Sequence, residues 1–394
     1  MPSAKTILII CPFSKPNLGG VEAHLEKLTT YLLAHDYRVF LLTYQPLTTR
    51  AKGERIEKRG QLEIHRVSWF GNGWFPILEP YFPLVFLYLF PGLFLYSLIF
   101  YARHHREIDC IHAHGLVAAA IAKILAKVAP KRTVVSTHAI YHFENRRLLA
   151  FLNCWLLGSF DRILAVGEPS RQELIGIGLA PDKIAVHPNW VDLDVFCPIE
   201  RETARQRLGL DRPTAFFAGR LLEKKGVLLI LAAAKQLPGL RFIFAGDGPL
   251  KETVTQAASE FSNVQWAGAI SEVAQLVEYY NAADVFVSLP LYEEGFAGVY
   301  LEALACGTPV IASKRGCLPY FLDSSVASLI EPTVENLVRQ LSELQASTCQ
   351  NQAQRERCRQ YAIDHFGEEN VQVITTSYEG AETGAGRVAV IMNG

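Results

Sequence analysis

Four stretches of this sequence carry residue types whose spacing suits chemistry on a charged ligand. The densest runs from Glu293-Glu294-Gly295-Phe296-Ala297-Gly298 through Glu302 to Cys306-Gly307-Thr308-Pro309. Glu294 falls in a loop after the apolar run 285–288. Glu302, eight residues on, falls in a helix that must start near 296–298 and stop at Gly307. The residues between the two carboxylates are apolar or Gly, which argues against a solvated acidic face. Gly219-Arg220 and Lys225-Gly226 follow a second apolar run, 215–218. A guanidinium fork beside an ammonium suits a diphosphate, although two solvated loop cations would look the same. Gly246-Asp247-Gly248-Pro249 makes a tight turn after 242–245, either part of a site or a plain strand-to-helix connection. Gly19-Gly20 lies between the first apolar run and a helix beginning near Val21. Two glycines let backbone N–H groups at a positive helix end approach a phosphate or sugar, and they also make simple turns. The start of the Glu302 helix falls at the same sheet edge as Arg220 and Lys225, so one pocket gets cations and a helix dipole for a leaving phosphate, with Glu294 and Glu302 as carboxylates for sugar hydroxyls. The pattern Gly-x-Gly-x-x-Gly is absent, against a dinucleotide oxidoreductase.

The elements that must position these residues follow one rhythm. Short apolar runs at 7–10, 39–42, 108–112 and 134–136 alternate with amphipathic stretches such as 21–33 and 116–127. That alternation predicts βαβ units on a parallel sheet. It starts afresh at Thr214, with runs at 215–218, 241–245, 264–267, 285–288 and 310–312. Two doubly wound α/β domains in tandem are expected, and in such sheets ligands bind beyond the carboxyl ends of the strands. The expected division is 1–195 for the first domain and 196–360 for the second. A C-terminal helix at about 360–378 packs back on the first domain, and a loose tail follows from 379 to 394.

With 394 residues, 50% of them apolar and 20% charged, the chain reads as globular with length for two or three domains. The net charge of -1 provides no field for nucleic acid. It hides an asymmetry: residues 1–198 hold 21 Lys/Arg against 16 Asp/Glu, and the remainder 17 against 23. Ten of the eleven histidines also fall in the first part. Eight cysteines without a regular framework point to a reducing, cytoplasmic compartment. The run Ile7–Ile10 leads into Pro12 with no cleavage site, so a first strand is expected there rather than a signal segment.

From Pro80 to Tyr101 there are 22 uncharged residues, nine of them aromatic, enough to cross a bilayer of about 30 Å as a helix. Pro83 and Pro91-Gly92 are expected to break the stretch into two short helices. A span would also put the first strands and 108–112 on opposite sides of a membrane. Two readings remain for 74–106: helices packed on the first sheet, or a peripheral segment at the membrane interface beside Arg103-His104-His105-Arg106.

The layout Gly-Arg-x4-Lys-Gly, Gly-Asp-Gly-Pro, then Glu-Gly-Phe-x5-Glu-Ala-x-Ala-Cys-Gly-Thr-Pro-Val-Ile-Ala resembles the retaining glycosyltransferases of family 4, over about residues 5–375. The resemblance implies a GT-B fold: two Rossmann-like domains facing a central cleft. It implies transfer of a hexosyl group from a nucleoside diphosphate sugar, UDP favoured over GDP, to an acceptor hydroxyl on the first domain. A lipid- or polyprenyl-linked glycan at the cytoplasmic membrane face is the expected acceptor. In this likeness Arg220 and Lys225 hold the diphosphate, Glu302 takes the ribose, and Glu294 lies by the transferred sugar. Gly246 and the segment Gly295, Phe296, Ala297 and Gly298 complete the donor site, and Gly19 and Gly20 close over donor and acceptor. His138 matches the histidine beside the anomeric centre. His112 and His114 match a strand-end motif, His112 reading better as a packed core residue. No cofactor and no metal are expected, since the sequence has no Asp-x-Asp pair at a strand end. Ala297, Trp190, Cys317 and Tyr320 depart from the common pattern, which leaves donor-sugar contacts open. A sugar-nucleotide epimerase and a non-catalytic scaffold of the same fold are the competing expectations.

Overall fold

The computed structural model describes residues 5–17, 19–49, 51–71, 73–78, 81–143, 147–295, 297–346 and 352–380. Among the described residues it divides into two compact units: unit 1 takes those up to His187 and those from Val371, and unit 2 takes Pro188–Asn370.

Unit 1 runs β1 (Thr6–Ile10), α1 (Gly20–Ala34), β2 (Arg38–Tyr44), β3 (Ile56–Arg59), β4 (Leu62–Val67), α2 (Phe75–Leu78), α3 (Phe82–His104), β5 (Cys110–His114), α4 (Leu116–Val128), β6 (Arg132–Ser136), α5 (Arg147–Leu157), β7 (Arg162–Ala165), α6 (Glu168–Gly176) and β8 (Ile184–Val186). Its sheet has the order β3-β4-β2-β1-β5-β6-β7-β8. β1 reads TILII and every residue of it is buried, as a central parallel strand covered on both faces requires. The polar, largely exposed β3 is the antiparallel edge, paired with β4. Strand order reverses at β1, which pairs with β2 on one side and β5 on the other. The carboxyl ends of β1 and β5 are therefore the ligand-binding position of a doubly wound sheet.

Unit 2 runs α7 (Arg201–Leu208), β9 (Thr214–Ala218), α8 (Val227–Gln236), β10 (Arg241–Ala245), α9 (Lys251–Glu260), β11 (Val264–Gly268), α10 (Val273–Ala282), β12 (Val285–Ser288), α11 (Gly298–Ala305), β13 (Val310–Ser313), α12 (Leu318–Phe321), β14 (Ala327–Ile330), α13 (Val334–Ala346) and α14 (Gln352–Phe366). Its strands, all parallel, take the order β11-β10-β9-β12-β13-β14, with the reversal at β9 and β12. The C-terminal segment forms two helices, α14 and then α15 (Glu369–Glu379), parted at Gly367. From Val371 onward α15 is part of unit 1, where the Tyr378 hydroxyl lies 2.7 Å from His112 Nδ1. The tail expected from 379 lies, beyond Gly380, outside the described residues.

One expectation fails outright. Residues 82–104 form a single 23-residue helix, with Pro91 inside it. The reason is a tyrosine from β2. Tyr44, fully buried, donates its hydroxyl to Leu89 O at 2.7 Å and accepts the Leu93 N–H at 2.7 Å. Those two backbone groups are an i, i+4 pair, so the hydroxyl bridges the rung next to the proline and the helix continues through it. Gly92 is needed beside the proline, because a Cβ there would stand 2.4 Å from the Trp69 ring. Trp69 in turn donates its indole N–H to Tyr88 O at 2.9 Å.

Candidate functional site

In unit 2 the loops after β9, β10, β12 and β13 meet at one edge of the sheet. Gly219 and Gly246 bring the first two together backbone to backbone. Gly246, at φ +143, sits so close that a Cβ would stand 1.9 Å from Gly219 O. The Leu221 N–H donates to Asp247 O at 2.9 Å across the same contact. The turn at 246–249 is thus what shapes the loop carrying Arg220, whose exposed side chain has no carboxylate partner among the described residues. Lys225 ends a single 3-10 turn, Glu223–Lys225, and Gly226 follows at φ +77. A Cβ on Gly226 would lie 2.2 Å from Leu289 O, so this loop is seated directly on the end of β12. The Leu291 N–H donates to Lys224 O at 2.8 Å and secures it there.

Glu294 is held from both sides. Its buried carboxylate forms an ion pair through Oε1 with Lys225 Nζ, and the same oxygen accepts from the Tyr292 hydroxyl at 2.8 Å. Its backbone carbonyl accepts the Cys317 N–H at 3.1 Å, and Gly316, at φ +59, leaves no room for a Cβ beside it. Two more bonds tie the β13 loop to the same place: Ser313 Oγ to Pro290 O at 2.8 Å and an Arg315 guanidinium N–H to Leu291 O at 2.9 Å. The structure therefore brings Lys225 and Glu294 into contact, as cation and carboxylate of one edge.

The helix expected to start near 296–298 is α11, Gly298–Ala305, with Ala297 at its N-terminal cap and Gly307 at φ +79 behind its end. Gly295, Ala297 and Gly298 are partly exposed at this helix start, and Phe296 lies outside the described residues. Glu302, on the second turn, accepts from the Tyr280 hydroxyl of α10 at 3.0 Å. Burial and then the Glu302 charge push the Tyr280 hydroxyl well above its ordinary value, so it stays a donor. Tyr300 is raised likewise, by burial and then by Glu294. Of the departures from the common pattern, Trp190 and Cys317 are buried within unit 2, the Cys317 thiol pushed up to about 12 chiefly by burial, and Tyr320 is exposed.

In unit 1, Gly19 and Gly20 open α1 at the far end of the loop that follows β1, with Gly19 in extended backbone. His138 follows β6 and is half-buried, and its Nε2 lies 2.9 Å from His114 Nδ1, so one of the pair donates and the other accepts. His112 is a core residue, its two nitrogens taken by Tyr378 and Ser136. His24 of α1 and His187 after β8 complete a cluster: the His24 ring centroid is 5.8, 5.3 and 5.5 Å from those of His114, His138 and His187. Burial first, and then the neighbouring imidazoles, hold His112, His114 and His138 well below the ordinary value, so all three stay neutral. Sequence reasoning missed His24 and His187, and also Tyr292 and Tyr280. Tyr292 had a signal in its position two residues from Glu294, within reach of the same carboxylate. Tyr280 had none, being 22 residues from the carboxylate it serves.

Two Rossmann-like units, each built on a largely parallel sheet with glycine-bearing loops at its carboxyl edge, define the GT-B class of α/β proteins. The model of the family described as glycosyl transferases group 1 matches residues 199–365, and that of glycosyltransferase family 4 matches 18–195. The chain belongs to this family of glycosyltransferases. Among curated relatives it is 25% identical over 357 residues to a phosphatidylinositol N-acetylglucosaminyltransferase subunit of Arabidopsis thaliana, covering 86% of this chain and 74% of that one. It is 37% identical over 182 residues to the D-inositol 3-phosphate glycosyltransferase of Mycolicibacterium smegmatis, covering 43% of this chain and 41% of that one. Among solved structures, Anabaena HepE in complex with UDP and glucose superposes with a TM-score of 0.74 at 19% identity, over 95% of this chain and 99% of that one.

Proposed function

We propose that this glycosyltransferase moves a hexosyl group, with retention of anomeric configuration, from a nucleoside diphosphate sugar to a hydroxyl of a lipid- or polyprenyl-linked acceptor at the cytoplasmic face of a membrane. The observation that carries the donor side is the convergence of Arg220, Lys225, Glu294 and the start of α11 at one edge of unit 2. Arg220 and Lys225 bind the diphosphate and stabilise its departure together with the α11 N–H groups, work that does not call for a metal. Glu294 accepts hydrogen bonds from the transferred sugar and Glu302 from the ribose, its Tyr280 bond fixing which way it faces. A donor phosphate oxygen takes the acceptor proton in a front-face displacement, and His138 supports the sugar. UDP is favoured as the leaving nucleotide, in keeping with the UDP complex of the Anabaena structure.

The acceptor side rests on α3, the one helix among the described residues that is long and apolar enough to cross a membrane by length and composition, with only 39% of its apolar window buried. Since β4 before it and β5 after it belong to one sheet, α3 lies along a surface rather than across a bilayer. The phosphatidylinositol in the name of the Arabidopsis relative agrees with a lipid acceptor.

The test is the melting-temperature shift with UDP, GDP, ADP and NADH in parallel. At 100 times its dissociation constant a ligand adds about 2.7 kcal/mol. A shift with UDP, lost in Arg220→Ala, is expected, followed by transfer of labelled sugar from the matching donor into a lipid extract. No shift with any nucleotide refutes the donor site.

A further inference from the structure

We infer that α5, not α3 alone, is a membrane-inserting element, and that α3, α4 and α5 together form one plate that rests on an anionic bilayer. The inference builds on the membrane-facing reading of α3 given above. The three helices are neighbours on one side of the unit 1 sheet, α4 packing against α3 and against α5. α5 is apolar on both sides: Leu156 and Leu157 are buried in the core, and a second apolar stripe faces outward. Leu148, Phe151, Leu152 and Trp155, at the i, i+3, i+4, i+7 spacing of one helix face, are all solvent-exposed, Phe151 at 67% and Trp155 at 61%. The polar Asn153 is turned inward and donates to Leu149 O. Leu87 and Leu95 of α3, with Ile124 of α4, continue the uncovered apolar surface. So much exposed aliphatic and aromatic area on three neighbouring helices is an interaction surface, not scatter.

Charge identifies the occupant. None of the three helices contains an Asp or Glu, and their charges are Arg103, Lys123, Lys127 and Arg147 with the histidine at 104. Lys123 shows how the two features combine: its ammonium stands 3.3 Å from the Trp155 ring centroid, over the indole face. A cation laid over an outward indole is the arrangement that seats a helix at headgroup level, apolar side down and ammonium among phosphates. A protein partner or a second copy of this chain would have to bring acidic groups that this face lacks, whereas an anionic leaflet presents them everywhere.

The experiment is flotation of the full chain with vesicles of phosphatidylcholine, with and without phosphatidylglycerol. It compares the wild type, Phe151→Ser/Trp155→Ser in α5 and Leu87→Ser/Leu95→Ser in α3. All four positions are exposed, so the fold is retained, and a preserved UDP-induced melting shift verifies it. The expected result is salt-sensitive binding to the anionic vesicles that falls about a hundredfold in the α5 variant, as withdrawal of two aromatic side chains from an apolar phase requires. Wild-type binding in the α5 variant with loss only in the α3 variant overturns the inference and leaves the lipid-acceptor reading intact. No binding by the wild type overturns both. An α5 variant that binds vesicles normally but loses self-association assigns the face to a second copy and overturns the inference.

Discussion

Tyr44→Phe removes one oxygen atom and leaves the ring in place, so it isolates the bridge that carries α3 past Pro91. The hydroxyl serves two buried backbone groups, Leu89 O and the Leu93 N–H, each at 2.7 Å. Both residues are at most 2% exposed, so water does not replace the lost oxygen. A buried polar group left unpaired costs about 1–3 kcal/mol, and two such groups set an upper bound of roughly 6. Closure of the turn into a direct Leu93-to-Leu89 bond recovers part of this, since the two form an i, i+4 pair, but it moves the second half of α3 against the Pro91 ring. The expected loss is about 3 kcal/mol. For a unit of this size, at roughly 2–4 °C per kcal/mol, the melting transition of unit 1 falls by about 6–12 °C. Urea unfolding should show a lower midpoint with an unchanged slope, and hydrogen exchange at the Leu93 amide should accelerate to match. A loss below about 1 kcal/mol with Leu93 still protected would refute the reasoning, because the helix would then pass the proline unaided.

Lys225→Met leaves the Glu294 carboxylate in its buried setting without its cation and should cost unit 2 about 1–3 kcal/mol, discounted for the partial exposure of the lysine; adding Glu294→Gln should restore part of it in a double-mutant cycle read by urea. Gly246→Ala drives a Cβ to 1.9 Å from Gly219 O at φ +143. It should destabilise unit 2 by about 3 kcal/mol or more and abolish any nucleotide-induced melting shift, and a stable variant that still responds to nucleotide would sink the account of that turn. Burial, and then repulsion from His24, hold His187 at about 3 against 6.5 for the free imidazole. Native His187 therefore stays neutral while the unfolded chain takes up a proton, so the stability present above pH 6.5 is lost as pH falls toward 3, at about 1.4 kcal/mol per pH unit. Urea midpoints from pH 7.5 to 5 measure the slope; an unchanged slope in His187→Phe would remove His187 from the explanation.

What the sequence made legible is what short-range chemistry controls. The repeat of apolar run, turn and amphipathic stretch predicted both sheets, because buried parallel strands such as β1 are predominantly apolar. Glycines at 219, 246 and 307 marked turns, since each sits at positive φ or in a backbone contact where a side chain does not fit. Glu294 fell on a loop and Glu302 on a helix as expected, from the helix start and stop between and behind them. What escaped depended on partners far along the chain. Nothing near Pro91 announces that Tyr44 will bridge its turn, and Tyr280 reaches Glu302 only once α10 lies beside α11. The His24 and His187 members of the imidazole cluster are brought together by the fold from 163 positions apart, a separation at which local pattern carries no information. The outward apolar stripe of α5 was overlooked for a different reason. Its apolar spacing fits a helix either way round, and only exposure tells which stripe faces the sheet.

The return of α15 to unit 1 sets an order on biosynthesis. A chain emerging from the ribosome presents the eight strands of the first sheet early, yet the helix whose Tyr378 caps His112, and whose Ser377 carbonyl receives the Arg132 guanidinium, is translated only after all of unit 2. Among the described residues unit 2 is the single stretch Pro188–Asn370 and can complete itself first, while its predecessor waits with a core histidine uncovered. A polypeptide stopped at His187 is thus an unfinished domain, and a nascent chain arrested anywhere before residue 371 offers chaperones and proteases the same open face.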